Sequence, residues 1–390
     1  MYIEKAINLE ENFGKLYQKE AHENSLVKPR KEQYKISNNS KDQKPTNEKD
    51  YDSTDSLLNK EKVNDLIKQY NPKFGETFEL LDSIKAGSSG AVHRARIKKA
   101  NNRIVAVKIL NEVIKDKIVK SNREIKIHKN LFHKNVPKVF GYYPLGPQNS
   151  CIVMEFNKYS DIDNFKRKII KRLTLSESTL CYIAAGIVEA LLYLTSKHII
   201  HMDVKQQNVL MDDFLNVRLT DYSVSLKYDT NQEKIQLKGE GTCYYMSPEV
   251  IEKKKIDTCD ASKIDIYSFG VLLYYLAFHI YPYNLEKADS KNLLDILKNI
   301  KEEKLVFPEG TGHSKLFKNF VAKCLEKDIK KRYNIYQVMN DPWIKGYQEI
   351  QNEKDNLVNA EKFLIELMVD SIKNFNDYIK EKENESQIMN

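Results

Sequence analysis

Branched apolar residues are sparse over residues 1–72, where Lys, Glu, Asn, Asp and Ser dominate. A segment so poor in apolar surface cannot offset its own ordering entropy, so it is expected to be mostly disordered, with one short helix placed over residues 2–17. Order is expected from about Phe78-Glu79-Leu80-Leu81 onward. Two strand-like runs flank Lys85-Ala86-Gly87-Ser88-Ser89-Gly90-Ala91-Val92. Asn101-Asn102 then reads as a hairpin turn into the apolar strand Ile104-Val105-Ala106-Val107-Lys108-Ile109-Leu110. Ile118, Ile125, Ile127 and Leu131 mark a helix-patterned run, and Cys151-Ile152-Val153-Met154 a buried strand ending in the polar Glu155 and Asn157. Residues 175–197 predict an amphipathic helix with a Ser/Glu start and Ile183, Ile187, Leu191 and Leu194 on one face. After it, Ile199, Ile200, Val209, Leu210, Val217 and Leu219 read as short buried strands that hold polar loops between them. A last periodic segment carries Leu357, Leu364, Met368, Ile372, Phe375 and Ile379. Its apolar stripe must be covered, by the preceding domain, by a partner, or by inhibition in cis.

Composition adds bounds rather than chemistry. The 390 residues, 41% of them hydrophobic, suffice for a two-lobed domain with tails. Lys and Arg outnumber Asp and Glu by 63 to 55, and the resulting +8 is spread along the chain, so nucleic-acid binding is not required by it. Five dispersed cysteines without a C-x-x-C fit a reducing interior with free thiols, not a disulfide framework or a zinc site. The N-terminus lacks a secretory core, Tyr2 excludes simple myristoylation, and no stretch reads as apolar for long enough to span a bilayer. The expectation is a cytoplasmic protein without a membrane or nucleic-acid partner. The nucleus is the alternative, because Lys166-Arg167-Lys168-Ile169-Ile170-Lys171-Arg172 suits nuclear import or an acidic partner as well as a solvated helix face.

The candidate chemistry sits in His201-Met202-Asp203-Val204-Lys205-Gln206-Gln207-Asn208, followed by Asp221-Tyr222-Ser223. These loops offer two carboxylates, an amide and an ammonium. Phosphoryl transfer needs such a set, to orient a hydroxyl, hold divalent metal and meet developing charge. Mg²⁺ keeps several waters and takes oxygen ligands, so one carboxylate and one amide are a typical protein share. H-x-D-x-K-x-x-N followed by D-x-x resembles the catalytic and metal loops of eukaryotic protein kinases.

Other stretches extend the resemblance in order from Phe78 to Trp343. Lys85 through Val92 is similar to the phosphate-covering glycine loop, with Lys85 in place of the first glycine. Val105-Ala106-Val107-Lys108 matches the family's lysine strand, and the resemblance implies that Glu124 pairs with Lys108 and steers it onto phosphates. It also implies an adenine pocket backed by Met154 and beside Ala106, base contacts from the backbone of Glu155 and Asn157, and a ribose or substrate contact at Asp161. Asp203 would orient the substrate hydroxyl and take its proton, Lys205 stabilise the transferring phosphoryl, and Asn208 and Asp221 hold Mg²⁺, or Mn²⁺ in its place. Gly241-Thr242-Cys243-Tyr244-Tyr245-Met246-Ser247-Pro248-Glu249 resembles the peptide-positioning segment, which implies substrate positioning by Thr242 and Glu249 and a long-range pair of Glu249 with Arg332. Asp265-Ile266-Tyr267-Ser268-Phe269-Gly270 resembles the start of the central helix of the large lobe, giving Asp265 a structural role, and Asp341-Pro342-Trp343 resembles the domain's close.

The departures from the family pattern shape the functional expectation. Met202 replaces the arginine that binds a phosphate on the activation loop, so activity is expected to be independent of phosphorylation at Ser225, Tyr228 and Thr230. Tyr222-Ser223 stands for Phe-Gly, and serine is expected to favour the inward form of that loop. Gln206-Gln207 replaces Pro-Glu, which removes an acid that reads an upstream arginine; with Lys166–Arg172 and Lys253-Lys254-Lys255 this points to acidic residues near the target hydroxyl.

The reading is an α+β, two-lobed protein-kinase fold: an extension over 1–72, a kinase domain over 73–346 split at 157/158, and a helical tail over 347–390. The expected function is an ATP- and Mg²⁺-dependent serine/threonine protein kinase acting on protein substrates, with docking through the extension or the terminal helix. The alternative is a catalytically weak pseudokinase scaffold, suggested by Lys85, Met202 and Ser223.

Overall fold

The computed structural model describes residues 60–388 except 88–89, 99, 101–102, 112–114, 147–148, 167–174, 290 and 351–372. The helix expected over 2–17, the Asn101-Asn102 turn and the run 167–172 therefore lie outside the described residues.

Two helices, α1 (Lys60–Tyr70) and α2 (Pro72–Thr77), stand where composition predicts a disordered extension reaching residue 72, which corrects that boundary. Val63 and Ile67, one turn apart, are buried with Phe74 against Phe78 and Leu80. Asn71 caps α2 by accepting from the Phe74 N–H at 3.1 Å, with proline at the first helical position. The Phe74 ring lies 4.7 Å from Phe78 and 5.2 Å from Tyr143. Three apolar side chains suffice here because a sheet face is present to cover them.

That sheet has five strands, β1 (Phe78–Gly87), β2 (Gly90–Ile97), β3 (Ile104–Asn111), β4 (Val139–Pro144) and β5 (Asn149–Glu155), in the order β1-β2-β3-β5-β4 with every neighbour antiparallel. Alternation along β3 sorts its residues between two cores. Val105, Val107 and Ile109 face the α1–α2 side, while Ala106 and Leu110 share the other side with Ile152 and Met154. Lys108 belongs to that second face, and α3 (Lys115–His128) packs beside it.

The second lobe is helical. After α4 (Ile162–Phe165), helix α5 (Glu177–Ser196) starts at a Ser176 cap whose Oγ accepts from the Thr179 N–H at 3.2 Å. At 20 residues α5 is long and apolar enough to cross a bilayer by length and composition, against the sequence expectation. Its apolar surface is instead spent inside the lobe: both faces are buried, Ile183, Ile187 and Leu191 among them. Short strand pairs present the loops that follow: β6 (Ile199–Ile200) with β9 (Leu226–Lys227), β7 (Val209–Met211) with β8 (Val217–Leu219), and β10 (Lys234–Gln236) with β11 (Lys255–Asp257). Helices α6 (Pro248–Ile251), α7 (Ser262–Phe278), α8 (Leu293–Glu302), α9 (Lys315–Cys324), α10 (Ile335–Asn340) and α11 (Pro342–Lys345) complete it. Helix α7 is buried nearly all round and anchors the lobe.

The last described element, α12 (Lys373–Ile388), lies on this lobe. Phe375 and Ile379 are buried, Tyr378 donates to the Pro342 carbonyl at 2.8 Å, and Glu383 accepts from the Lys315 N–H at 2.6 Å. The domain thus covers Phe375 and Ile379, the two described residues of the terminal stripe; Leu357, Leu364, Met368 and Ile372 lie outside the described residues. All five cysteines are free. The fold is the α+β, two-lobed one that the motifs imply.

Candidate active site

Between the lobes lies a cleft of about 750 Å³, solvent at its mouth included, in the size range of small-molecule sites. Val92 and Ala106 line it from the sheet, Leu210 from β7, and Met154 from β5. Gly90 closes the β1–β2 hairpin at φ +129°, and a Cβ there would stand 2.1 Å from the Ile109 carbonyl oxygen, so only glycine fits. Gly87 and Ala86 pair across with Gly90 and Ala91; Ser88 and Ser89, expected at the loop tip, lie outside the described residues.

At the back of the cleft the Glu155 N–H is used by the Lys138 carbonyl at 2.8 Å. The Asn157 carbonyl accepts from Ser160 N at 3.0 Å, while its buried side-chain Oδ1 has no partner. Asp161 caps α4 at 2.9 Å through Oδ1. Lys85 crosses the mouth, donating to the Gln207 carbonyl at 3.0 Å and standing 3.6 Å from Asp161.

Lys108 brings the two lobes together. Its Nζ donates to both Glu124 oxygens, at 2.7 and 2.9 Å, and to Asp221 Oδ1 at 3.1 Å. Burial opposes a charge on this lysine, but the Asp221 and Glu124 carboxylates outweigh it and hold the ammonium above its ordinary pKa. Asp221 takes φ +69° at the end of the strand–loop passage, and Tyr222 turns inward, fully buried beside His128 and His201, its hydroxyl donating to Leu219 O at 2.9 Å. Ser223 has no positive φ, so serine in place of glycine strains nothing in this arrangement. Burial holds His128 down to about 4, and it enters this contact as a neutral ring.

Asp203 is fixed from three sides. Thr242 Oγ1 donates to Oδ1 at 2.6 Å, Asn208 Nδ2 to Oδ2 at 3.0 Å, and Lys205 Nζ lies 2.8 Å from Oδ2. Lys205 also donates to Thr242 at 2.6 Å. Asn208 gives its other Nδ2 bond to the Asp203 carbonyl at 2.8 Å, which keeps its Oδ1 for another partner. Beneath the loop, Asp265 accepts from the N–H groups of His201 and Met202 at 2.7 and 2.9 Å; burial raises this carboxyl to about 7 against those two bonds. They hold Met202 at φ +71°, a costly conformation for a side chain with a Cβ.

The structure thus joins Lys108, Glu124, Asp203, Lys205, Asn208, Asp221 and Thr242, with Asp265 supporting them. It corrects one placement. Glu249, expected to position substrate, is buried, and both its oxygens are taken by Arg332, at 2.5 and 3.2 Å. Its pairing is as the resemblance implies, and its role is structural. Among the described residues no cluster of three or more His, Cys, Asp or Glu forms a metal cage. One carboxylate (Asp221) beside one amide oxygen (Asn208) fits a hard cation that keeps waters and shares ligand phosphates. Sequence reasoning passed over Leu210, Thr220 and Gln207 as cleft walls, although they sit two residues after, and directly before, residues it had singled out.

The sequence model of the protein kinase domain matches residues 78–344. The chain is 29% identical over 283 residues to an Aurora kinase of Schizosaccharomyces pombe, covering 72% of this chain and 74% of that protein. It is 29% identical over 285 residues to the serine/threonine-protein kinase CLA4 of Candida albicans, covering 73% of this chain but 28% of that protein. To the human serine/threonine-protein kinase tousled-like 1 it is 28% identical over 308 residues, 74% of this chain and 39% of that protein.

Proposed function

Because this chain belongs to the protein kinase family, we propose that it transfers the γ-phosphoryl group of Mg-ATP to serine or threonine hydroxyls of protein substrates. The observation that carries this is the single cluster in which Lys108, Glu124 and Asp221 meet across the cleft while Asp203 is held by Thr242 and Asn208. ATP with its magnesium supplies the phosphoryl group and neutralises its charge. Asp203 orients the incoming hydroxyl and accepts its proton. Thr242 and Asn208 keep that carboxylate from rotating, and Lys205 presents its cation beside it. Lys108, fixed by Glu124, points its ammonium into the cleft. Asn208 and Asp221 are the oxygen donors for the metal. The pseudokinase reading is disfavoured because every group the chemistry needs is present and assembled. Incubation with Mg-ATP and a generic protein acceptor should yield phosphoserine and phosphothreonine; an inert wild type beside an active control kinase rejects the proposal.

Activity is proposed to be independent of activation-loop phosphorylation. Met202 is buried and offers no donor to a phosphate. Ser225 is buried with its hydroxyl donating to His201 O at 2.9 Å, so of Ser225, Tyr228 and Thr230 the latter two are accessible, Thr230 being exposed. Phosphatase-treated wild type and a Tyr228→Phe/Thr230→Val double variant are expected to keep kcat within about twofold of untreated wild type, an effect within roughly 0.4 kcal/mol of barrier. A tenfold fall in either rules the idea out.

On the substrate side, the neutral Gln207, four residues after Asp203, and the exposed Lys253, Lys254 and Lys255 favour acidic rather than basic flanking residues. A peptide array should rank Asp/Glu-flanked acceptors above Arg-flanked ones; the reverse order refutes this specificity. Five free thiols support a reducing compartment, cytoplasm or nucleus. The partners proposed are the protein substrates, docked in part through the residues before the domain or the terminal helix.

A further inference from the structure

Helix α3 carries a second acidic contact that the kinase reading does not use. Arg123, the residue before Glu124, reaches the loop that leads to Thr242 and closes on Glu240, Nη1 to Oε2 at 2.5 Å and Nη2 to Oε1 at 3.4 Å. The pair bridges 117 positions of chain and is partly buried, its side chains 20% and 28% exposed. Glu240 is flanked by Gly239 at φ +68° and Gly241 at φ +130°. A Cβ at Gly241 would stand 2.6 Å from the Met202 carbonyl oxygen. Two left-handed residues on either side of one acid fix its backbone where a side-chain-bearing neighbour would not allow it. Thr242, which holds Asp203, lies two residues on, and Glu124, which holds Lys108, lies one residue from Arg123.

Building on the kinase reading, we infer that Glu240 and Arg123 are positioning residues: a permanent carboxylate clamps α3 to the activation loop, so that Lys108 and Asp203 are set together without a phosphate. A phosphate contributes charge and acceptor oxygens that pair with arginine. The carboxylate of Glu240 gives Arg123 a two-point contact of the same kind, smaller in charge and always present. Met202 removes the arginine that would draw a phosphate elsewhere. A pair this exposed adds little to global stability, so its effect falls on the orientation of α3 and of Thr242.

The test compares Glu240→Gln, Arg123→Gln, the double variant and the exchange Arg123→Glu/Glu240→Arg, all in the full chain after phosphatase treatment. Each single substitution is expected to lower kcat about tenfold, with the melting temperature nearly unchanged. The double variant should be no worse than either single one, and the exchange should return kcat to within about threefold of wild type. Amide hydrogen exchange over residues 115–128, in the absence of nucleotide, should quicken in the single variants and slow again in the exchange. Unchanged exchange and unchanged kcat in the single variants, losses that multiply in the double, or an exchange variant as impaired as the singles each overturn the clamp. The hydrogen-exchange arm needs no catalysis. A clamp that holds in an inert wild type therefore rejects the kinase reading alone, and an active wild type indifferent to Glu240 rejects the clamp alone.

Discussion

Asp203→Asn is expected to lower kcat by about 10²- to 10⁴-fold, the span that a positioned proton acceptor contributes. The substitution preserves volume but cannot take a proton from a hydroxyl. It also reverses one end of the hydrogen-bond set. Thr242 and Asn208 donate to the two Asp203 oxygens and Lys205 pairs with one of them at 2.8 Å, whereas a carboxamide offers only one acceptor oxygen and no charge. One donor is then left facing an NH₂, which costs some local order, while the cleft walls at Val92, Ala106, Met154 and Leu210 are untouched. Nucleotide affinity should therefore stay within a few-fold of wild type. Measuring turnover on a generic acceptor beside direct titration with Mg-ATP separates the two. A variant with more than a tenth of wild-type turnover shows that another base does this work.

That pairing was legible because its residues lie in short stretches with strong local constraint. A lysine in the apolar run Val105-Ala106-Val107-Lys108 needs an acid, and β-strand alternation puts Lys108 on the face that α3 covers. The loop residues Asp203, Asn208 and Asp221 are bracketed by apolar pairs that become β6, β7 and β8, so their spacing becomes distance. Where the reading missed, averages hid a local pattern. In α1 two buried residues, Val63 and Ile67, sit among Lys, Glu, Asn and Gln, and a composition window registers only the polar majority. Helix α5 reads as amphipathic from the spacing of Ile183, Ile187 and Leu191, but it is buried on all faces because it fills the interior of a lobe. The Arg123–Glu240 contact joins two ordinary surface residue types, with no pattern in either segment that selects the partner. The flanking glycines of Gly239-Glu240-Gly241 were the one visible sign, since each is a position where the backbone asks for φ above zero.

The largest stability effect is expected at the far end of the same segment. Arg332 is almost fully buried and uses all three of its nitrogens. Beyond its two bonds to Glu249, Nη1 donates to Lys263 O at 3.0 Å, Nη2 to Lys327 O at 3.3 Å and Nε to Glu326 O at 2.8 Å, with the guanidinium 4.8 Å from the Tyr267 ring. Arg332→Met fills much of the volume but strands a buried carboxylate and three carbonyls. Breaking one side of a buried pair costs about 3–5 kcal/mol, a large part of the roughly 5–15 kcal/mol that holds a typical domain folded. Removing both charges relieves the carboxylate but not the carbonyls. Arg332→Met/Glu249→Leu should therefore recover part of the loss and remain below wild type. Lys263 lies at the start of α7, whose Asp265 holds the N–H groups of His201 and Met202, so loosening this joint should also reach the Asp203 loop. Equilibrium unfolding in urea of the three proteins reads the energies directly. A loss under about 1 kcal/mol for Arg332→Met would mean that the pair is no more than a surface contact. A double variant as unstable as the single would assign the cost to the carbonyls alone.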